Sequence, residues 1–130
     1  MKWSFSNDLP IYAQLIEQIK TGVATGAFPR GERLPSVRDL AMEAGVNPNT
    51  MQRALAQLES EGLVYSQRTA GRFVTGDEER IGEMKRSLAH GHIRAFMAAM
   101  NSLSIDREEA LALLEAEYRK ETGEDEYPDM

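Results

Sequence analysis

Pro35-Ser36-Val37-Arg38-Asp39-Leu40-Ala41-Met42-Glu43-Ala44-Gly45-Val46-Asn47-Pro48-Asn49-Thr50-Met51-Gln52-Arg53-Ala54-Leu55 reads as two short helices joined at a tight corner. Ser36 suits an N-cap, Asp39 stands three residues on as in a capping box, and Val37, Leu40, Ala41 and Ala44 share one apolar face. Gly45 then closes the first helix by entering the left-handed region, and Asn47-Pro48 supplies an N-cap and a first-turn proline for the second. This is a helix-turn-helix pattern. With Met51, Ala54, Leu55 and Leu58 at core spacing, Asn47, Pro48, Asn49, Gln52 and Arg53 are left on the outer face of the second helix. Such side chains suit phosphates and base edges.

Working upstream, Asp8-Leu9-Pro10 announces an earlier helix, whose Ile11, Tyr12, Leu15, Ile16, Ile19 and Val23 recur at the helical period before it fades between Gly22 and Gly26. A connector rich in Pro and Gly follows over 28–35, with Phe28 and Leu34 expected to plug the core beneath it. Downstream, Gly62 ends the third helix, and the runs 63–68 and 72–75 suit two strands about the turn Thr69-Ala70-Gly71. A hairpin directly after a recognition helix is a wing. Arg68, Thr69 and Arg72 are expected at its tip, placed to reach a phosphate or a minor groove. Ile11, Leu15, Leu40, Leu55, Leu58 and Phe73 are expected to form the core of this first domain, residues 1–75.

From Gly76 the pattern changes. A long helix carries Ile81, Met84, Leu88, Ile93, Phe96, Met97 and Met100, with a one-residue slip around His90-Gly91-His92 that predicts a bend. Asn101-Ser102-Leu103-Ser104 reads as a turn with Ser104 as N-cap of a last helix, which carries Ile105, Leu111, Leu113, Leu114 and Tyr118 and ends before Gly123; 124–130 are expected to fray. This two-helix hairpin, the domain 76–130, has more apolar surface than it can bury by itself. A second copy of the chain is the expected cover, with Ile81, Met84, Leu88, Phe96, Met97, Met100, Leu111 and Leu114 at the dimer contact.

Composition narrows the function. In 130 residues there is no room for a large catalytic domain, and the absence of cysteine removes disulfides and thiolate metal sites. The net charge of −6 is unevenly spread: residues 1–76 sum to +1 and 77–130 to −7, so the acidity belongs to the C-terminal part. His90 and His92, two apart, point away from each other on a helix, and no metal site is expected. No nucleophile set, carboxylate pair or phosphate-binding loop appears, so neither an enzyme nor a cofactor is expected. With no apolar run of membrane length and no signal-peptide pattern, a cytoplasmic protein without a membrane partner is expected. Arg38 has two readings: a surface pair with Asp39 or Glu43, worth under about 1 kcal/mol, or a DNA contact.

The sequence resembles the GntR family of bacterial transcription regulators from about Leu9 to Val74. The matching residues are Pro10-Ile11-Tyr12, the run from Gly26 to Ala41 with its Arg30-Gly31-Glu32-Arg33-Leu34-Pro35-Ser36-Val37-Arg38 centre, Gly45 to Thr50, Glu61-Gly62-Leu63-Val64 and Gly71-Arg72-Phe73-Val74. The resemblance implies operator contacts from Arg38, from Asn47, Pro48, Asn49, Thr50 and Gln52, and from the wing turn around Gly71. It thereby favours the DNA reading of Arg38. Many members carry Arg where this chain has Pro48 or Gln52, so their base preferences do not transfer. The Asn-Pro-Asn-Thr form and the short tail are similar to the YtrA-type branch, whose two-helix C-terminal domain mainly dimerises.

The sequence therefore predicts a mainly α protein: a winged helix-turn-helix of three helices and a two-stranded wing, followed by a two-helix α-hairpin. The expected function is that of a homodimeric, sequence-specific repressor on a palindromic double-stranded DNA operator, with Arg38, Asn47, Pro48, Asn49, Thr50, Gln52, Arg53, Arg68, Thr69, Gly71 and Arg72 at the DNA. The alternative is a winged-helix module that binds a protein and no DNA, against which the polar face from Asn47 to Arg53 argues. A small-molecule effector, should one act, is expected near Met84 and Leu88 or between subunits.

Overall fold

The computed structural model describes residues 1–123; the fraying expected of 124–130 lies outside them. The elements run α1 (Ile11–Thr25), α2 (Val37–Ala44), α3 (Pro48–Ser60), β1 (Val64–Gln67), β2 (Gly71–Val74), α4 (Glu78–Ser102) and α5 (Arg107–Thr122). The described residues form two compact units, which divide after Ala89.

In the first unit, Leu15, Ile19 and Val23 of α1 meet Leu40 and Ala41 of α2, Met51, Ala54, Leu55 and Leu58 of α3, and Leu63, Val64 and Val74 of the wing. Phe28 and Leu34 plug this core from the connector. Two expected members differ. Ile11, at the mouth of α1, is 39% exposed, and Phe73 is half-buried on the opposite face of β2 from Val74, where it stacks on Tyr65 with ring centroids 5.6 Å apart. Side chains alternate along a strand, so Val74 and Phe73 cannot share a face.

The N-terminal arm is held by two glutamines one turn apart on α1. Gln14 accepts from the Ser6 N–H (2.8 Å) and donates to the Leu9 carbonyl (2.7 Å), while Gln18 accepts from the Ser4 N–H (3.0 Å) and donates to the Ser4 carbonyl (2.6 Å). These contacts fix the arm against α1, while Pro10, as N-cap, gives no side-chain cap.

The wing pairs antiparallel with Val64 opposite Val74 and Gln67 opposite Gly71, leaving Arg68-Thr69-Ala70 as the turn. The connector adds a third edge. Leu34 N–H donates to the Arg72 carbonyl (2.8 Å) and Val74 N–H to the Glu32 carbonyl (2.9 Å), about a bridge between Arg33 and Phe73.

α4 starts with Glu78 and Glu79, which favour the positive end of a helix, and is one unbroken helix through His90-Gly91-His92. The slip in its apolar spacing marks a change of use. Before it, Met84 is only 8% exposed in the core of the first unit, with Ile81 and Leu88 packed against that core; beyond it, Ile93 and Met97 are exposed.

In the second unit α5 is capped by Asp106, whose carboxylate accepts from the Glu109 N–H at 2.9 Å. This corrects the expectation of Ser104 as cap: α4 extends over Asn101 and Ser102, and Ser104 takes a positive φ of 59° in the turn. A carboxylate suits the helix N-terminus at least as well as a hydroxyl. Gly123 closes α5 in the left-handed conformation.

Candidate nucleic-acid interface

The helix-turn-helix forms by the local chemistry its sequence predicts. Ser36 Oγ accepts from the Asp39 N–H at 3.1 Å, Gly45 adopts φ 72°, and Asn47 Oδ1 accepts from the Asn49 N–H at 2.7 Å with Pro48 in the first turn of α3. Buried Leu40, Ala44, Met51 and Leu55 clamp the two helices from inside. Outside, Arg38 stands exposed in the first turn of α2, and Asn47, Pro48, Asn49, Gln52 and Arg53 are exposed along α3, with Thr50 half-buried between them. The backbone N–H groups of the first turn of α3 are already used, since Pro48 has none, Asn49 donates to Asn47 Oδ1 and Thr50 and Met51 donate to the Asn47 carbonyl, so contacts to an anion fall to the side chains.

Arg53 is exposed but not loose: its guanidinium carbon lies 4.6 Å from the centre of the Tyr12 ring on α1. On the wing, Arg68 and Thr69 are exposed in the turn. Arg72 lies one residue inside β2, not at the tip. Its side chain is turned onto α3, with Nε donating to Glu59 Oε1 at 3.4 Å and Nη1 donating to Gln52 Oε1 at 3.3 Å. Ser66 Oγ donates to the same Glu59 oxygen at 2.8 Å, so one carboxylate holds both strands to the recognition helix.

Arg33 was not singled out from the sequence. Its guanidinium lies over Gly71, where a Cβ would stand 2.9 Å from Arg33 Nε; Gly71 also takes φ 103°. Arg33 and Arg72 flank a cleft of about 190 Å³ that includes Pro35, Ser36 and Gly71, beside the start of α2. The signal available in the sequence was alternation: with Leu34 buried in an extended segment, Arg33 must point the other way.

Of the residues expected at a dimer contact, Met84 is buried within its own chain and Ile81 and Leu88 pack over the same core. Phe96, Met97, Met100, Leu111 and Leu114 instead line an apolar groove of about 920 Å³ between α4 and α5, with Ile93 and Tyr118 also on its walls. Among the described residues no helix is long and apolar enough to cross a membrane.

Three helices, a tight helix-turn-helix corner and a β-ribbon wing, with a polar face along the second helix of the motif, define a winged helix-turn-helix regulator. The chain matches "Bacterial regulatory proteins, gntR family" over residues 11–74. It is 34% identical over 118 residues to the HTH-type transcriptional repressor YtrA of Bacillus subtilis, covering 89% of this chain and 86% of that one. It superposes on a GntR family transcriptional regulator from Listeria monocytogenes with a TM-score of 0.80 at 36% identity, covering 86% of this chain and 98% of the other. It also superposes on the AraR DNA-binding domain solved in complex with operator ORX1, with a TM-score of 0.52 at 30% identity, over 58% of this chain and 96% of that domain. The chain belongs to the gntR family of transcription regulators, in its YtrA-type branch. These relatives are regulators and not enzymes.

Proposed function

We propose that the protein is a homodimeric repressor that reads a pseudo-palindromic operator, one α3 in each of two successive major grooves. The observation that carries this reading is the exposed row Asn47, Pro48, Asn49 and Gln52 on the side of α3 away from the core, flanked by Arg38 and by the wing turn. In the assignment, Asn49 and Gln52 read base edges. Arg38, Asn47, Pro48, Thr50 and Arg53 contact backbone or shape the approach, Arg68, Thr69 and Gly71 bring the wing to the adjacent groove, and Arg72 stands at the DNA beside Gln52. Repression fits the similarity to the transcriptional repressor YtrA of Bacillus subtilis.

Residues 1–75 carry the DNA contacts in this reading and 76–130 join two copies. The α4–α5 groove, with Met97 61% and Leu111 52% exposed, is the surface assigned to the second copy. Half-sites would then lie one helical turn, about 34–36 Å, apart.

Selection of bound duplexes from a random pool, followed by footprinting and sedimentation of the complex, tests this directly. The expected result is an inverted repeat with its half-sites one turn apart and two chains per duplex. A single unrepeated site, or one chain per duplex, would remove the dimer reading; failure to enrich any duplex would remove DNA binding and favour a protein-binding module.

A further inference from the structure

Gln52 occupies the outward face of α3, where an amide normally offers a base both a donor and an acceptor. Asn or Gln recognises adenine by using both at once, donating to N7 and accepting from the N6 amino group. In this chain the acceptor is already engaged. Arg72 Nη1 donates to Gln52 Oε1 at 3.3 Å, and because a guanidinium has donors only, the amide oxygen and not the NH2 must face it.

Arg72 cannot easily turn away. Its side chain is 20% exposed, and its Nε is held by Glu59 Oε1 at 3.4 Å, two turns along the same helix. Glu59 is fixed in turn by the Ser66 hydroxyl at 2.8 Å. What remains facing outward from Gln52 is the NH2, and what surrounds it from Arg72 is further N–H. An adenine amino group approaching this pair would meet donors and a positive charge.

We infer that Arg72, held by Glu59, sets the base preference of Gln52: the pair reads a base edge made of acceptors, guanine O6 and N7 foremost, and discriminates against adenine. Arg72 and Glu59 are thus positioning residues for specificity. The inference rests on the DNA-binding reading above and adds to it the identity of the base class.

The test is selection from a random duplex pool with the full chain and three variants. Gln52→Ala locates the base pair that residue 52 reads, as the one position where preference is lost. At that position the unaltered protein is expected to favour guanine over adenine by about fivefold or more, the lower end of discrimination by a good base contact. Arg72→Met and Glu59→Gln, which free the amide oxygen by separate routes, are expected to bring adenine to parity with guanine or above it.

Adenine preferred by the unaltered protein, loss of preference nowhere in Gln52→Ala, or an unchanged guanine-to-adenine ratio in Arg72→Met would each overturn the inference while leaving DNA binding intact. Enrichment of no duplex by the unaltered protein would overturn the DNA-binding reading itself, and this inference with it.

Discussion

The guanidinium of Arg53 sits over the ring of Tyr12, 4.6 Å from its centre, and so ties the exposed side of the recognition helix to α1. A cation over an aromatic face at an exposed site is worth about 0.5–1 kcal/mol. Tyr12→Leu keeps the apolar body and removes the ring face. In chemical denaturation, a double-mutant cycle with Arg53→Ala is expected to show a coupling of about that size. Additive losses would mean that the contact does not stabilise the fold.

Gly22, buried in the last turn of α1, faces the Phe28 ring so closely that a Cβ would lie 2.6 Å from Phe28 Cδ2. The ring cannot simply retreat, because Phe28 N–H donates to the Gly22 carbonyl at 2.9 Å and Phe28 is 9% exposed. Alanine would gain about 1 kcal/mol in helix propensity but would overpack a core site, which typically costs about 1–3 kcal/mol. Gly22→Ala is expected to lower the thermal midpoint. A raised midpoint would show that Phe28 has room to move.

Much of this fold is legible in the sequence because its signals are local. Ser36, Gly45, Asn47-Pro48 and Gly123 act through the backbone within a few residues, and each takes the cap or turn that its chemistry predicts. What the sequence conceals is long-range. Nothing near Arg72 indicates that its side chain will cross to Glu59 and Gln52, thirteen and twenty residues earlier. The apolar pattern of α4 likewise slips around His90-Gly91-His92 without announcing what the slip means, that Met84 belongs to the winged-helix core while Met97 stays exposed. The exposed face of α3 is readable only as what the core leaves over.

A carboxylate of α3's end gives a pH dependence. Burial pushes the Glu61 carboxyl up, but hydrogen bonds from Lys20 and Gln57 and the Lys20 charge outweigh it, so the group lies below the ordinary value. Lys20 Nζ stands 2.9 Å from Glu61 Oε1, joining α1 to α3. A carboxyl depressed in the folded state stabilises above its unfolded value, about 4.3, and loses that contribution as pH falls through the folded value. The melting difference between the unaltered protein and Lys20→Met is therefore expected to be present at pH 7 and to shrink below about pH 4. A difference that grows with acid would reverse the sign assigned here.

The first half of α4 completes the winged-helix unit. Met84 is 8% exposed in that core, and Arg80 Nη1 donates to the Glu61 carbonyl at 3.1 Å. Arg30 also pairs with Glu78. A fragment 1–89 is expected to be more stable than a fragment 1–75 by about 2–5 kcal/mol, the usual cost of emptying a buried Met site. Urea titration of both fragments checks this; equal midpoints and equal stabilities would return the α4 start to a linker role.

The reading of α3 as a sequence-specific DNA-contacting helix is tested most directly by the affinity of the full chain for its selected duplex against a scrambled duplex of the same length and salt. The account predicts that the selected duplex binds at least about 10³-fold more tightly, as specific regulators do over non-specific DNA. Equal affinity for the two duplexes would contradict it.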